Sequence, residues 1–355
     1  MLTLAAADAS PALDSIGTPW LWGLSIGAVL ALLALDFVLT RRPHDVSMKE
    51  ALGWSAFYIA LPLLFAVYVW QQHGSDRGVE YLTGYLVEKS LSVDNLFVFM
   101  LLLAAFAVPR ELQQRVLLYG IVGALVLRGI FIAVGAAAIS RFDFAFLVFG
   151  LILAVTAVKI LKDALSGADH EVDVDGLRSV RLLRRFMPVT EDYEGPRMTA
   201  RVDGRRALTP FAVVVVAVLA TDIVFAVDSV PAVYGITADP YLVFVTNAFA
   251  LLGLRALYFV LEGALSKLAH LGYGLAAILA FIGVKLMLHW AHLRWESVPE
   301  IPTLASLGVI VGILAVTVFT SLVASKRADA RAAGTAGPDA PAGEPHDEDR
   351  DPART

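Results

Sequence analysis

Nine stretches of about 20 predominantly apolar residues, at roughly 20–39, 50–70, 80–107, 113–139, 142–164, 209–233, 241–262, 265–290 and 303–324, run through this chain. At 1.5 Å per residue each is long enough to cross the hydrocarbon core of a bilayer as a helix. With 58% hydrophobic and 17% charged residues in 355, the chain is also too apolar for a soluble protein of its length. The expected fold is therefore all-α: a polytopic membrane protein of about nine transmembrane helices. There is no cysteine, which excludes a disulfide framework, thiolate metal ligands and a cysteine nucleophile.

The windows divide the chain. Residues 1–19 have no basic segment ahead of an apolar core and read as a short exposed end, not a cleaved signal. Two leading transmembrane helices occupy 20–79, a first helical unit 80–164, a loop 165–208, a second unit 209–290, and a final helix with its preceding loop 291–325. From 326 to 355 the sequence is rich in Ala, Gly, Pro and charge, with too little apolar material to bury, and is expected to be disordered. The segments after helices one, three, five and seven carry Arg41, Arg42 and Lys49, Arg110 and Arg115, eight arginines between Arg178 and Arg206, and Lys267. The opposite side shows Arg77, Arg141 and Arg294. Positive residues stay inside, so the N-terminus is expected outside, and the C-terminus, after Lys326 and Arg327, in the cytoplasm.

Two of the apolar stretches carry acids. EKSLSVDNLFVF places Glu88 six residues before Asp94, and TDIVFAVDSVPAV places Asp222 six before Asp228. On the helices that follow, Arg128 in VLRGIF aligns with Arg255 in GLRALYF, and Lys159 in AVKIL with Lys285 in GVKLM. Each unit thus reads acid, acid, Arg, Lys over three successive helices. Three crossings reverse direction, so the second unit must be inverted relative to the first, an organisation common among secondary transporters. Six residues rise about 9 Å and turn 240° past one full turn, so the two acids of one helix sit at different depths. If the two acidic helices cross near the membrane centre, Glu88 is expected to meet Asp228 in an outer layer and Asp94 to meet Asp222 in an inner one.

A charge at the centre of a transmembrane helix costs roughly 2.5–3.5 kcal/mol on insertion scales, so these groups must face the protein interior and pair or bind something. A plainer reading is that Arg128 and Arg255 neutralise the acids and hold the bundle together. It leaves unexplained why Asn95 follows Asp94, and why Ser229 and Pro231 follow Asp228. Pro231 frees a backbone carbonyl near Asp228. With the hydroxyls of Ser90, Ser92, Thr221 and Ser229, these are the oxygen ligands that hard divalent ions prefer. Mn²⁺, Mg²⁺ and Ca²⁺ all fit, whereas Cu(I) and Zn²⁺ are poorly served. The same carboxylates could carry protons, which makes cation/proton exchange an economical mechanism.

Other features have blander readings. His289, His292, Trp290 and Trp295 fit an interfacial belt better than a metal entry site. The stretch with Asp169, His170, Glu171, Asp173 and Asp175 reads as a solvated acidic loop, and the arginines from 178 to 185 as a topology determinant against anionic headgroups. Lys159 and Lys285 lie nearer helix ends and could snorkel instead of joining the site.

The acidic stretches, together with RRFMPVTEDYEG, NAFALLGLRALYF, GYGLAAILAFIGVKLMLHW and VPEIPT, resemble the TerC family of bacterial integral membrane proteins over about residues 20–324. The family, with its Alx branch, is grouped with the LysE-type exporters and associated with manganese export and, by its historical name, tellurite resistance. The resemblance implies that Glu88, Asp94, Asn95, Asp222 and Asp228 line the ion path. One position departs from the family pattern: Leu219 and Ala220 stand where many members carry a further acid.

The favoured reading is a bacterial cytoplasmic-membrane exporter of Mn²⁺, with Glu88 and Asp228 as outer ligands and Asp94 and Asp222 as inner ones. Asn95 and Ser229 add neutral oxygens, while Arg128, Arg255, Lys159 and Lys285 tune charge. Its partners would be the divalent ion, protons and lipid, with no cofactor and no nucleic acid. The alternatives are a Ca²⁺ or other cation/proton exchanger, or a membrane scaffold linked to envelope-protein assembly or tellurite resistance. An enzyme is not expected, since no nucleophile stands with a base and no cofactor motif occurs.

Overall fold

The structure is a computed structural model that describes residues 15–39, 47–166, 188–190, 192–193, 195–202, 205–262, 270–295 and 297–335. The first 14 residues, Arg41, Arg42, the acidic stretch from Asp169 to Asp175, the arginines from 178 to 185, Lys267 and the chain beyond Thr335 lie outside them. The described residues form ten helices and one hairpin. The order is α1 (Pro19–Leu39), α2 (Met48–His73), α3 (Ser75–Ala105), α4 (Arg110–Arg141), α5 (Phe144–Ser166), β1 (Thr199–Val202) and β2 (Arg205–Leu208). There follow α6 (Pro210–Tyr234), α7 (Pro240–Leu252), α8 (Leu254–Glu262), α9 (Leu271–His292) and α10 (Thr303–Thr335).

Seven of these, α1, α2, α4, α5, α6, α9 and α10, are long and apolar enough to cross a membrane, and the α7–α8 pair makes an eighth if it is one span. That pair is bent by 44° where the sequence pattern suggested one window at 241–262. Helix α3 has 31 residues, ample length for a crossing, but carries Asp76, Arg77, Glu80, Glu88, Lys89 and Asp94. Its side chains are buried along most of its length, because α2, α6, α7 and α10 surround it. The bulky exposed residues, among them Leu24, Leu64, Val126, Val155 and Phe319, lie on outward faces of α1, α2, α4, α5 and α10. So much exposed apolar surface suits a lipid-facing belt and would not suit water.

Local signals start the helices. Ser47 accepts from the Glu50 amide at 3.3 Å at the head of α2, and Thr209 and Asp239 cap α6 and α7 ahead of Pro210 and Pro240. The buried carboxylate of Asp239 accepts from the Tyr241 amide, the Ile16 amide (2.8 Å) and the Ser15 hydroxyl (2.6 Å). Residues 15 and 16, expected to be part of an exposed end, are thereby tied to the head of α7. Gly74, at φ 92°, makes the turn from α2 into α3 that a side chain would strain.

Two features outside the spans go beyond the sequence reading. Helix α10 continues to Thr335, ten residues past the expected boundary, because KRADARAA is Ala, Lys and Arg, all strong helix formers, apart from Asp329. The loop 165–208 contains the β1–β2 hairpin, paired from Thr199↔Leu208 to Val202↔Arg205. It docks on the α3–α4 turn, where the Tyr193 hydroxyl donates to the Phe106 carbonyl at 2.8 Å. Burial pushes that phenol up to about 12, so it remains a donor at physiological pH.

Helices α5 and α9 cross with their backbones in close approach. A Cβ on Gly150 would lie 2.8 Å from the Gly283 carbonyl oxygen, and one on Gly283 2.9 Å from the Gly150 oxygen. Each glycine therefore lets the other backbone approach. Gly150→Ala or Gly283→Ala should force the helices apart and cost about 1–3 kcal/mol, read as a lower thermal midpoint in detergent. Gly312→Ala, where a Cβ meets nothing within 4 Å, should leave the midpoint unchanged or slightly raised.

Candidate functional site

Helices bury one stripe of residues spaced by three and four. On α3 that stripe holds Glu88, Ser92 and Asn95; on α6 it holds Asp222, Ala226 and Ser229; all six are buried. Arg128 of α4, 1% exposed, lies between the two. Its Nη1 donates to Glu88 Oε1 and, at 2.9 Å, to Asn247 Oδ1 of α7. Its Nη2 lies 3.4 Å from Asp222 Oδ1. The Asn95 amide, turned so that both its groups are satisfied, accepts from Nη2 at 3.1 Å and donates to the Leu91 carbonyl. Asn247 is fixed in turn by donating to the Val243 carbonyl at 3.0 Å. One guanidinium thus joins α3, α4, α6 and α7.

The cluster is not saturated. Of the 11 buried side-chain polar atoms without a hydrogen-bond partner among the described residues, five are Glu88 Oε2, Ser92 Oγ, Arg128 Nε, Asp222 Oδ2 and Ser229 Oγ. Buried polar atoms are ordinarily satisfied, so four on these facing stripes and one on the arginine between them call for an explanation. Ser90 and Thr221 differ: their hydroxyls donate to the carbonyls of Leu86 and Ala217 in their own helices.

The expected pairing of acids across the helices is not what forms. Glu88 shares Arg128 with Asp222, whereas the charged groups acting on Asp228 include Arg128, Asp94 and Lys159. The reason is rotation. The second acid of each helix stands 240° on from the first, so Asp94 and Asp228 leave the dry stripe and are half-buried beside it. Lys159 is exposed on α5.

Arg255, matched to Arg128 in the sequence, has other partners. Its Nε and Nη2 donate to Asp36 of α1 at 3.2 and 2.8 Å, and its Nη1 lies 3.4 Å from Gln114 Oε1 of α4. The Tyr58 hydroxyl of α2 adds a 3.0 Å bond to Asp36. No atom of Asp36, Tyr58, Gln114 or Arg255 is left among the unsatisfied buried groups, which marks this cluster as a structural tie. Lys285 is also remote from the acids. It lines a cavity of about 540 Å³ at the end of the bundle where α3 begins, with Arg77, Glu80, Thr237, His289 and Glu300. Glu80 is held there by Arg77 (2.9 Å) and Thr237 (2.8 Å), and His289 shares a 2.6 Å hydrogen bond with Glu300.

Among the described residues no three His, Asp or Glu side chains converge as a preformed metal-ligand group. The available oxygen donors are instead the carboxylates and hydroxyls arrayed around Arg128. Asn247 was missed as a site residue, although it opens NAFALLGLR; a lone amide in an apolar segment was the available signal. Asp36 was missed as the partner of Arg255, although it is the one acid in the first apolar window.

Residues 73–329 match the family described as the integral membrane protein TerC family. An uncharacterized membrane protein of Myxococcus xanthus, STKORF319, is 41% identical over 315 residues, covering 88% of this chain and 95% of its own. The protein named Alx in Escherichia coli K12 is 40% identical over 332 residues, covering 91% of this chain and all of its own. A Mycobacterium tuberculosis membrane protein, Rv2723, is 42% identical over 313 residues, 84% of this chain and 78% of its own. No solved structure matches the chain.

Removing the central cation should expose its role. Arg128→Met leaves Glu88 and Asp222 buried without it, and should cost about 3–5 kcal/mol, measured by thermal unfolding in detergent. Adding Glu88→Gln and Asp222→Asn to that variant should restore most of the loss.

Proposed function

Because the chain belongs to the TerC family of integral membrane proteins, we propose that it is a multi-pass exporter of a divalent cation, Mn²⁺, in exchange for protons. The observation that carries this reading is the set of partnerless buried oxygens on the facing stripes of α3 and α6: Glu88 Oε2, Asp222 Oδ2, Ser92 Oγ and Ser229 Oγ. Carboxylate and hydroxyl oxygens are the ligands that hard cations take. Ionised Glu88, Asp94, Asp222 and Asp228 set four negative charges against Arg128 and Lys159, an excess of two that one divalent ion or two protons would balance. Ion and proton are then alternative occupants of the same carboxylates, which is the basis of exchange.

In this reading the half-buried Asp94 and Asp228 receive the ion first, with Asn95 beside them. Arg128 holds Glu88 and Asp222 until the ion competes for them. The inverted order of the two three-helix units supplies a way for the site to face alternate sides. The arginines beside α4 and the hairpin support an orientation with the N-terminus outside and the C-terminus inside the cytoplasmic membrane of a bacterium. Alx relatives carry a name that makes them candidate membrane-bound redox modulators. This chain has no thiol, so a comparable influence would pass through a redox-active ion that it moves.

Mn²⁺ flux into proteoliposomes, with a pH dye inside and Ca²⁺ and Mg²⁺ as competitors, tests the proposal. Asp228→Asn is near-isosteric and half-buried, so it should abolish flux and the linked proton movement while leaving the thermal midpoint within a few degrees of wild type. Competition by Ca²⁺ at equal concentration would move the assignment to a calcium exchanger. Absence of flux from folded wild type under every ion and pH gradient would leave a scaffold as the reading.

A further inference from the structure

The hairpin places Arg201 directly opposite Arg206. Side chains so placed have Cβ atoms about 4.5–5.5 Å apart, and like charges in that position destabilise the pair. Both residues are exposed, and neither guanidinium has an ion-pair partner among the described residues. The opposite face of the hairpin is the neighbouring pair Ala200↔Ala207, which is buried. The arginine face therefore cannot turn inward.

The hairpin is also held rigidly at the end of the spanning helices. The Leu208 amide donates to the Pro188 carbonyl at 2.8 Å, the Thr190 amide to the Leu208 carbonyl at 2.9 Å, and the Thr209 amide to the Met198 carbonyl at 3.2 Å. The Thr209 hydroxyl donates to the Arg197 carbonyl. Leu208 ends two residues before α6 begins at Pro210, and Tyr193 binds the turn where α3 ends. Helix α6 is long and apolar enough to span a membrane, so its head belongs at the level where an apolar span meets headgroups, and Arg110, at the head of α4, is exposed at the same end.

We propose that Arg201 and Arg206 form a binding site for the phosphate of an anionic phospholipid, which offsets their mutual repulsion and seats the hairpin on the membrane surface. Guanidinium groups bind phosphate oxygens in bidentate fashion, so two opposed arginines suit one headgroup phosphate. The site is independent of the transport reading and of which way the protein is inserted.

Full-length protein in nanodiscs of phosphatidylcholine, with or without phosphatidylglycerol, tests it. Wild type should unfold at a higher temperature when phosphatidylglycerol is present. Arg201→Gln/Arg206→Gln should lose that gain, yet unfold no lower than wild type in phosphatidylcholine, because the repulsion is gone. Phosphatidylglycerol retained in native mass spectra should fall roughly fivefold for each charge removed. Arg201→Lys/Arg206→Lys, which keeps the charge without the fork, should keep part of the gain. Equal lipid-dependent gain and retention in wild type and the Gln variant would overturn the proposal. So would stabilisation by inorganic phosphate in phosphatidylcholine discs without any from phosphatidylglycerol.

Discussion

A single buried guanidinium organises the centre of this bundle. Arg128 is reached by Glu88 of α3, Asp222 of α6 and the amides of Asn95 and Asn247, so four helices share one cation. Burying such a group is costly, and the cost is offset only when its charge and hydrogen-bonding capacity are met. The surrounding packing follows from that requirement. Helix α3 cannot face lipid while it carries Glu88, Lys89 and Asp94, so it lies inside, and α1, α2, α5 and α10 present apolar faces outward.

The two buried arginines differ in how completely the polar groups around them are satisfied. Arg255 is bound by Asp36, with Gln114 and Tyr58 completing the group, and no polar atom is left over. It joins α8 to α1, α2 and α4. The Arg128 cluster has the same ingredients but leaves two carboxylate oxygens, two hydroxyls and its own Nε without partners. A saturated cluster resists change, whereas an unsaturated one still attracts a cation or a proton.

Much of this was legible along the chain. Apolar windows located the helices, since lipid requires continuous apolar length. The acids in two of those windows marked the interior, since a charge cannot rest in hydrocarbon. Other features had no linear signature. The 44° break between α7 and α8 falls inside one continuous apolar window. Asn247 is a single amide, and the bond from Tyr193 to Phe106 spans 87 positions. The helical run of α10 past residue 325 was readable in its Ala, Arg and Lys content, but overall composition concealed it.

By itself the sequence determined that the chain is a membrane protein built on helices, and which few residues would be expensive to bury. Those conclusions rest on composition and on segment length, which need no knowledge of neighbours. Tertiary structure alone decided which charges meet. The six-residue spacing turns Asp94 and Asp228 away from the stripe that holds Glu88 and Asp222, so Arg128 takes the first acid of each helix. Arg255, aligned with it in sequence, takes Asp36 of α1. Partnership depends on the direction a side chain takes from its helix and on which helix stands opposite, and neither is written in the order of residues along the chain.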